Sequence, residues 1–154
     1  INVTAAVKKS SGIKTLAELN GKAISTTSGT TAVPLLKKYE KTASIDVKEI
    51  YGKDHAESMQ LLSTDRVTAF VMDDILLAGQ IANQPNAGDY VIFPESLRTE
   101  PYSMMLRRDD PQFKALVDRA VEAIQGYAAG FGVRVFVRQH TVPMPPAPMR
   151  SVST

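Results

Sequence analysis

Between Lys22 and Thr31 a short β-prone run, residues 23–26, empties into Ser28-Gly29-Thr30-Thr31, and a helical pattern follows. Strand, glycine turn and helix in that order place first-turn backbone amides and several hydroxyls at one helix N-terminus. First-turn amides have no partner within their own helix, and the helix dipole adds partial positive charge, so such a place attracts an anion. No Walker-type Lys follows the glycine, which argues against a nucleotide phosphate and for a carboxylate. The plainer alternative is that Ser and Thr act here only as N-caps. Pro34 confines the helix start, because proline fits only the first turn, and puts the N-cap near Thr31.

The rest of the chain repeats this alternation. Residues 2–8 read as a strand, 15–19 as a short helix closed by Asn20-Gly21, 31–41 as a helix and 45–51 as a strand. A helix over 54–63 opens on a capping box, Asp54 with Glu57 three residues on. The apolar run 67–72 has the length of a buried strand, and a helix over 73–82 follows it. Strands are expected at 90–93 and 102–106. Asp110-Pro111 then opens a helix whose apolar positions Phe113, Leu116, Val117, Ala120, Val121 and Ile124 keep the 3.6 period. Alternating strands and helices imply an α/β fold with a mainly parallel sheet flanked by helices, whose ligands sit beyond the carboxyl ends of the strands. Three strand ends therefore matter together: 27–31 with amides and hydroxyls, 53–55 with a His, and 73–74 with carboxylates. An anion site beside a cation site suits a zwitterion such as an amino acid.

Composition narrows the remaining classes. At 154 residues the chain is long enough for a real core, and 44% apolar with 22% charged residues reads as globular. A net charge of +2 does not indicate a nucleic-acid surface. With no Cys and only two His there is no thiol nucleophile and no convincing zinc site, and we expect no metal or other cofactor. Ser28 lacks the frame of a nucleophile elbow, and no acid–base pair stands at a catalytic spacing, so an enzyme is the last-ranked class. The first residue is Ile rather than Met, from which a cut or processed start is expected. After Glu122 no acidic residue occurs, while Arg134, Arg138, His140, Arg150 and four prolines do; residues 129–154 thus read as a divergent Pro-rich tail, with an alternating strand pattern at 133–137.

Several of these segments together resemble the solute-binding proteins of polar amino-acid ABC transporters, in particular the glutamate/aspartate-binding group. They are Lys8-Lys-Ser-Ser-Gly-Ile-Lys14, Leu19-Asn-Gly-Lys22, Thr27-Ser-Gly-Thr-Thr31, Lys53-Asp-His55, Ala69-Phe-Val-Met-Asp-Asp-Ile-Leu-Leu-Ala-Gly79 and Met105-Leu-Arg-Arg-Asp-Asp-Pro-Gln-Phe113. They run in family order at family spacing over about residues 3–126. The resemblance implies a type II periplasmic-binding-protein lobe, one of two α/β lobes that close on a ligand about a hinge. On this reading residues 1–106 are the ligand-binding lobe, with 102–106 the returning hinge strand. Residues 107–128 are a return helix that packs on the other lobe, and the N-terminal lobe, with its ligand-binding Arg, is absent. Pro34 and the missing aromatic stretch near 127–137 depart from the family pattern.

The resemblance also implies roles. Asp73 would hold the ligand ammonium, although a strand–helix junction suits a helix cap as well. His55 would reach the side-chain carboxylate of glutamate or aspartate, and Thr27, Ser28, Thr30 and Thr31 would supply hydroxyl and amide donors to a carboxylate. The implied partners are an acidic amino acid and, for a full-length protein, the membrane subunits of the transporter, in the periplasm; no nucleic acid is expected. The apolar stripe of the 111–125 helix, without its lobe, leads us to expect a homodimer, with exchange of the C-terminal segment as one form of it. The alternative function is a non-binding oligomeric remnant that serves as a structural or interaction protein.

Overall fold

The computed structural model describes residues 1–102 and 104–129, which divide into two compact units, one of Ile1–Glu100 and a second from Pro101 onward. The expected tail, 129–154, and its strand at 133–137 lie outside the described residues apart from the last residue of the final helix.

In the first unit the chain runs β1 (Asn2–Lys8), β2 (Ala23–Thr27), α1 (Ala32–Ala43), β3 (Lys48–Gly52), α2 (His55–Ser63), β4 (Ala69–Asp73), α3 (Asp74–Ala82), β5 (Tyr90–Ile92) and β6 (Arg98–Thr99). Strands β3, β2, β4, β1 and β5 lie side by side in that order, and β6 continues the outer edge of β1. Pairing of β2 with β3 and with β4 is parallel, as the α/β alternation implies. The exception is β1, which runs antiparallel to β4, β5 and β6. The parallel strands therefore end where β1 begins: Val3 stands opposite Asp73.

The core explains the strand composition. Val3, Ala5, Ala6, Val7, Ile24, Phe70 and Val71 have no exposed surface, because helices and loops cover both faces of the central strands. From the helices Leu36, Met59, Leu62 and Leu77 pack against them. Each such side chain contributes about 1.5–3 kcal/mol by leaving water. α1 starts one residue after Thr31, so Pro34 falls in its first turn as its chemistry requires. α2 is capped by Asp54, which accepts from the Glu57 amide at 2.8 Å, and the Glu57 carboxylate reaches back to the Lys53 amide at 2.7 Å. That is the expected capping box with its return bond moved one residue upstream.

Boundaries elsewhere shift by a few residues, as element ends do. The short helix near 15–19 is a 3-10 turn, Ala17–Leu19, and β3 begins at Lys48 rather than 45. One expectation fails: residues 102 and 104–106 form no strand. A strand exists only through a ladder, and the apolar pattern of 102–106 finds no pairing partner among the described residues. The short strand that does form nearby, β6, pairs with Asn2 and Val3 and carries little apolar signal.

The second unit contains α4 (Pro111–Ala129). Asp110 caps it through the Phe113 amide at 2.9 Å, with proline at the first helical position as the sequence predicts. Phe113, Leu116 and Ile124 on its apolar stripe are exposed.

Candidate functional site

The parallel register brings the ends of β2 and β3 level: Thr27 stands opposite Gly52, and the Ser28 amide donates to the Gly52 carbonyl at 2.9 Å. On the other side of β2, Ile24 and Ser25 stand opposite Ala69 and Phe70, so β4 reaches its last residue, Asp73, along the same edge. One edge of the sheet thus carries the turn after β2, the start of α2 after β3, and the start of α3 after β4.

Thr27 and His55 meet there. The Thr27 hydroxyl oxygen lies 2.8 Å from His55 Nδ1 and 3.1 Å from the Ser58 hydroxyl. Ser58 is completely buried, donates to the Asp54 carbonyl at 3.0 Å, and its own carbonyl accepts from the Ser25 hydroxyl at 2.9 Å. This row of hydroxyls ties the end of β2 to the first two turns of α2. Gly52 makes the approach possible, since a Cβ there would stand 2.3 Å from the Ser58 hydroxyl and 2.8 Å from its backbone nitrogen.

The glycine turn sits over this row. Gly29 takes φ 73°, the left-handed region that glycine enters without penalty. The Thr30 hydroxyl folds back onto the Thr27 carbonyl at 2.8 Å. The Thr31 hydroxyl donates to Glu100 at 2.9 Å, and the Thr31 side chain does not cap α1. Ser28 is exposed, and among the described residues its hydroxyl and the amides of Gly29 and Thr31 make no hydrogen bond. Three of the four hydroxyls that the sequence suggested as donors are therefore engaged within the protein, while amides of the turn stay available.

Asp73 is 5% exposed, stands at the N-cap position of α3, and makes no side-chain capping bond to that helix. Asp74 accepts from the Ile75 amide at 2.8 Å and from the Asn2 side chain at 3.1 Å, so it fastens the start of α3 to β1. Sequence reasoning missed Ser58, Asn2 and Glu100. Ser58 had one legible signal: it lies three residues after His55 and four after the cap Asp54, on the helix face turned to the strand end. Asn2 and Glu100 had none, because their partners lie 72 and 69 residues away.

Among the described residues no cluster of three or more His, Cys, Asp or Glu is placed to hold a metal ion, and no helix is long and apolar enough to cross a membrane. The arrangement offers hydrogen-bond donors, one imidazole and one buried carboxylate along a single edge. It can bind a small polar molecule with charges of both signs.

No family model matches the chain. Relatives do. The chain is 38% identical over 139 residues to a protein of Escherichia coli K12 named as a glutamate/aspartate import solute-binding protein, a match covering 90% of this chain and 45% of that protein. The L-glutamate/L-aspartate-binding protein of Pseudomonas aeruginosa is 37% identical over the same shares. Among solved structures, an ABC transporter periplasmic binding protein from Brucella ovis with glutathione bound superposes with a TM-score of 0.70 at 22% identity, over 86% of this chain and 41% of that one. The fold is that of the type II periplasmic binding proteins. The chain spans a little under half the length of the relatives it matches.

Proposed function

We propose that this chain, a homologue of the glutamate/aspartate solute-binding proteins of ABC transporters, forms one wall of a binding site for an acidic amino acid. The observation that carries the reading is the meeting of Thr27 with His55 at 2.8 Å on the strand-end edge that also ends in Asp73. His55 takes the side-chain carboxylate of the ligand, and Asp73 takes its ammonium through a charge-assisted bond. The turn of Thr27, Ser28, Thr30 and Thr31 takes a carboxylate through its amides and the Ser28 hydroxyl. The setting is the periplasm, and the further partners are the membrane subunits of an uptake transporter. One wall supplies part of the contacts that a closed site would make, so affinity in the isolated chain is weak.

Calorimetric titration with L-glutamate and L-aspartate at about pH 6 tests this, with L-glutamine and L-lysine as controls. Selective binding of the acidic pair, lost in His55→Ala and in Asp73→Ala, is expected. Equal response to all four ligands, or unchanged binding in both variants, would sink the assignment. A second reading, self-association through α4, draws on the exposure of Phe113, Leu116 and Ile124. Sedimentation at micromolar concentration checks it, and a monomer throughout removes it.

A further inference from the structure

The hydroxyl row that orients His55 has a direction. A carbonyl can only accept, so the single proton of the Ser58 hydroxyl is committed to the Asp54 carbonyl at 3.0 Å. The contact between Ser58 and Thr27, at 3.1 Å, must then be donated by Thr27. With its own proton committed, the Thr27 hydroxyl can only accept from His55 Nδ1 at 2.8 Å. The chain of donors runs from His55 Nδ1 through Thr27 and Ser58 to the Asp54 carbonyl, and it is buried at Ser58 and nearly so at Thr27. Among the described residues Nε2 makes no hydrogen bond.

We infer that Thr27 and Ser58 are positioning residues that hold neutral His55 in its Nδ1–H form, so that an acidic ligand binds at Nε2 only together with one proton from solvent. In the neutral Nδ1–H ring, Nε2 carries a lone pair and faces a carboxylate as a second acceptor. Adding a proton at Nε2 makes that atom a donor and the ring a cation, while the bond to Thr27 is unchanged. Had the row run the other way, neutral His55 would present Nε2–H and bind a carboxylate without taking up a proton. The proton linkage rests on the proposed role of His55 in ligand binding; the tautomer does not.

Charged groups lie around this position on several elements. Lys53, Asp54 and Glu57 stand at the start of α2 itself, with the Asp54 and Glu57 carboxylates engaged on the backbone amides of the capping box. Asp73 ends β4, and Asp74 opens α3 with its carboxylate on Ile75 and Asn2. On β3 the only charged side chains are Lys48, at the opposite end of the strand, and Glu49, which faces Lys37. The Asp54, Glu57 and Asp74 carboxylates are thus engaged on backbone amides and on Asn2 rather than on the His55 ring, whose Nδ1 stands on Thr27.

The ring nitrogens can be read directly by 15N NMR on the free, full chain. At a pH where the spectrum shows His55 neutral, the Nδ1–H form is expected. Thr27→Val should return the ring toward the Nε2–H form that imidazoles prefer in water, and Thr27→Ser should restore Nδ1–H. Ser58→Ala, which frees the Thr27 proton, should weaken the preference even if Thr27→Val does not fold. A predominantly Nε2–H ring in the unsubstituted chain overturns the inference, whatever the ligand behaviour. Calorimetry of glutamate binding at the same pH, in buffers of different ionisation enthalpy, should show uptake of about one proton, with affinity falling about tenfold per pH unit. Glutamate binding without proton uptake overturns the linkage. An Nδ1–H ring in a chain that binds no glutamate overturns the proposed function and the linkage with it, and leaves the tautomer assignment standing.

Discussion

The two ends of the same sheet handle polar groups in opposite ways. At the far end, Lys8 closes β1, and its ammonium donates to the Ser63 carbonyl and pairs with Asp65, both at 2.8 Å. Asp65 reaches that position by adopting φ 59° just after α2, a conformation Asp tolerates. The recess there is lined by Lys8, Ser10, Ser11, Asp65 and Thr68, yet its one cation is already matched. At the near end, Thr27, Ser58 and the Asp54 carbonyl satisfy one another in a row that stops at His55 with one ring nitrogen to spare. Polar residues at the end of a sheet therefore do not by themselves make a site. What separates the two ends is that the cation of the far end is already paired, whereas the His55 ring keeps one nitrogen without a hydrogen bond among the described residues.

Substitutions can break this contrast, and the largest effect is expected at the near end. Gly52→Ala would push a Cβ into the Ser58 backbone nitrogen as well as its hydroxyl, and backbone cannot swing aside. A loss of about 1–3 kcal/mol in denaturant unfolding is expected, together with loss of the ligand response. Asp54→Ala removes the cap of α2 but leaves the carbonyl that ends the hydroxyl row. It should cost about 1 kcal/mol and weaken glutamate binding only through fraying of the first turn, as urea unfolding and calorimetry would show. Lys8→Met touches the far end alone. Its partner Asp65 is 77% exposed, so a cost below about 1 kcal/mol is expected, with ligand affinity unchanged. A fall in affinity there would dissolve the distinction between the two ends.

The smallest effect concerns acid stability in the body of the sheet. Burial raises the carboxyl of Glu49 above its ordinary value; Lys37 at 3.8 Å pulls it down and Glu40 pushes it up. A raised acid binds its proton more tightly folded than unfolded. Its contribution is therefore fully present below the ordinary carboxylate range and lost as pH rises through the raised value. Glu49→Gln should remove that loss: a melting temperature equal to or slightly above that of the unsubstituted chain at neutral pH, and no difference in acid. A variant less stable at neutral pH would mean that the Lys37 pair outweighs the burial.

How much of this was legible in the sequence depends on the range of the interaction. The capping pair Asp54 and Glu57, the Asp110-Pro111 start and the Pro34 limit are local chemistry, and α2, α4 and α1 begin where those residues require. The strand β4 was legible from its apolar run, because burial on both faces leaves that mark, and β1 and β2 were legible as short β-prone stretches, β2 ahead of a glycine turn. The reversal of β1 was not, since direction depends on which neighbour a strand finds. For the same reason residues 102–106 read as a strand and β6 did not: pairing is a property of the partner. At the site, strand-end reasoning brought Thr27, His55 and Asp73 to one edge. It could not assign protons, because hydroxyl direction is decided by where the Ser58 hydroxyl finds a backbone carbonyl, and the spacing that places Ser58 on the right helix face does not say which group donates.

The reversed first strand also decides how the unit can be handled as a piece. Because β1 begins at the edge where β6 finishes, the Glu100 amide donates to the Ile1 carbonyl at 2.8 Å, and the two ends of the unit leave side by side. A module whose ends touch can be spliced into a surface loop of another protein without stretching either one. The strand-end edge that carries His55 and Asp73 would then face the splice, so whatever host received the unit would stand over that edge.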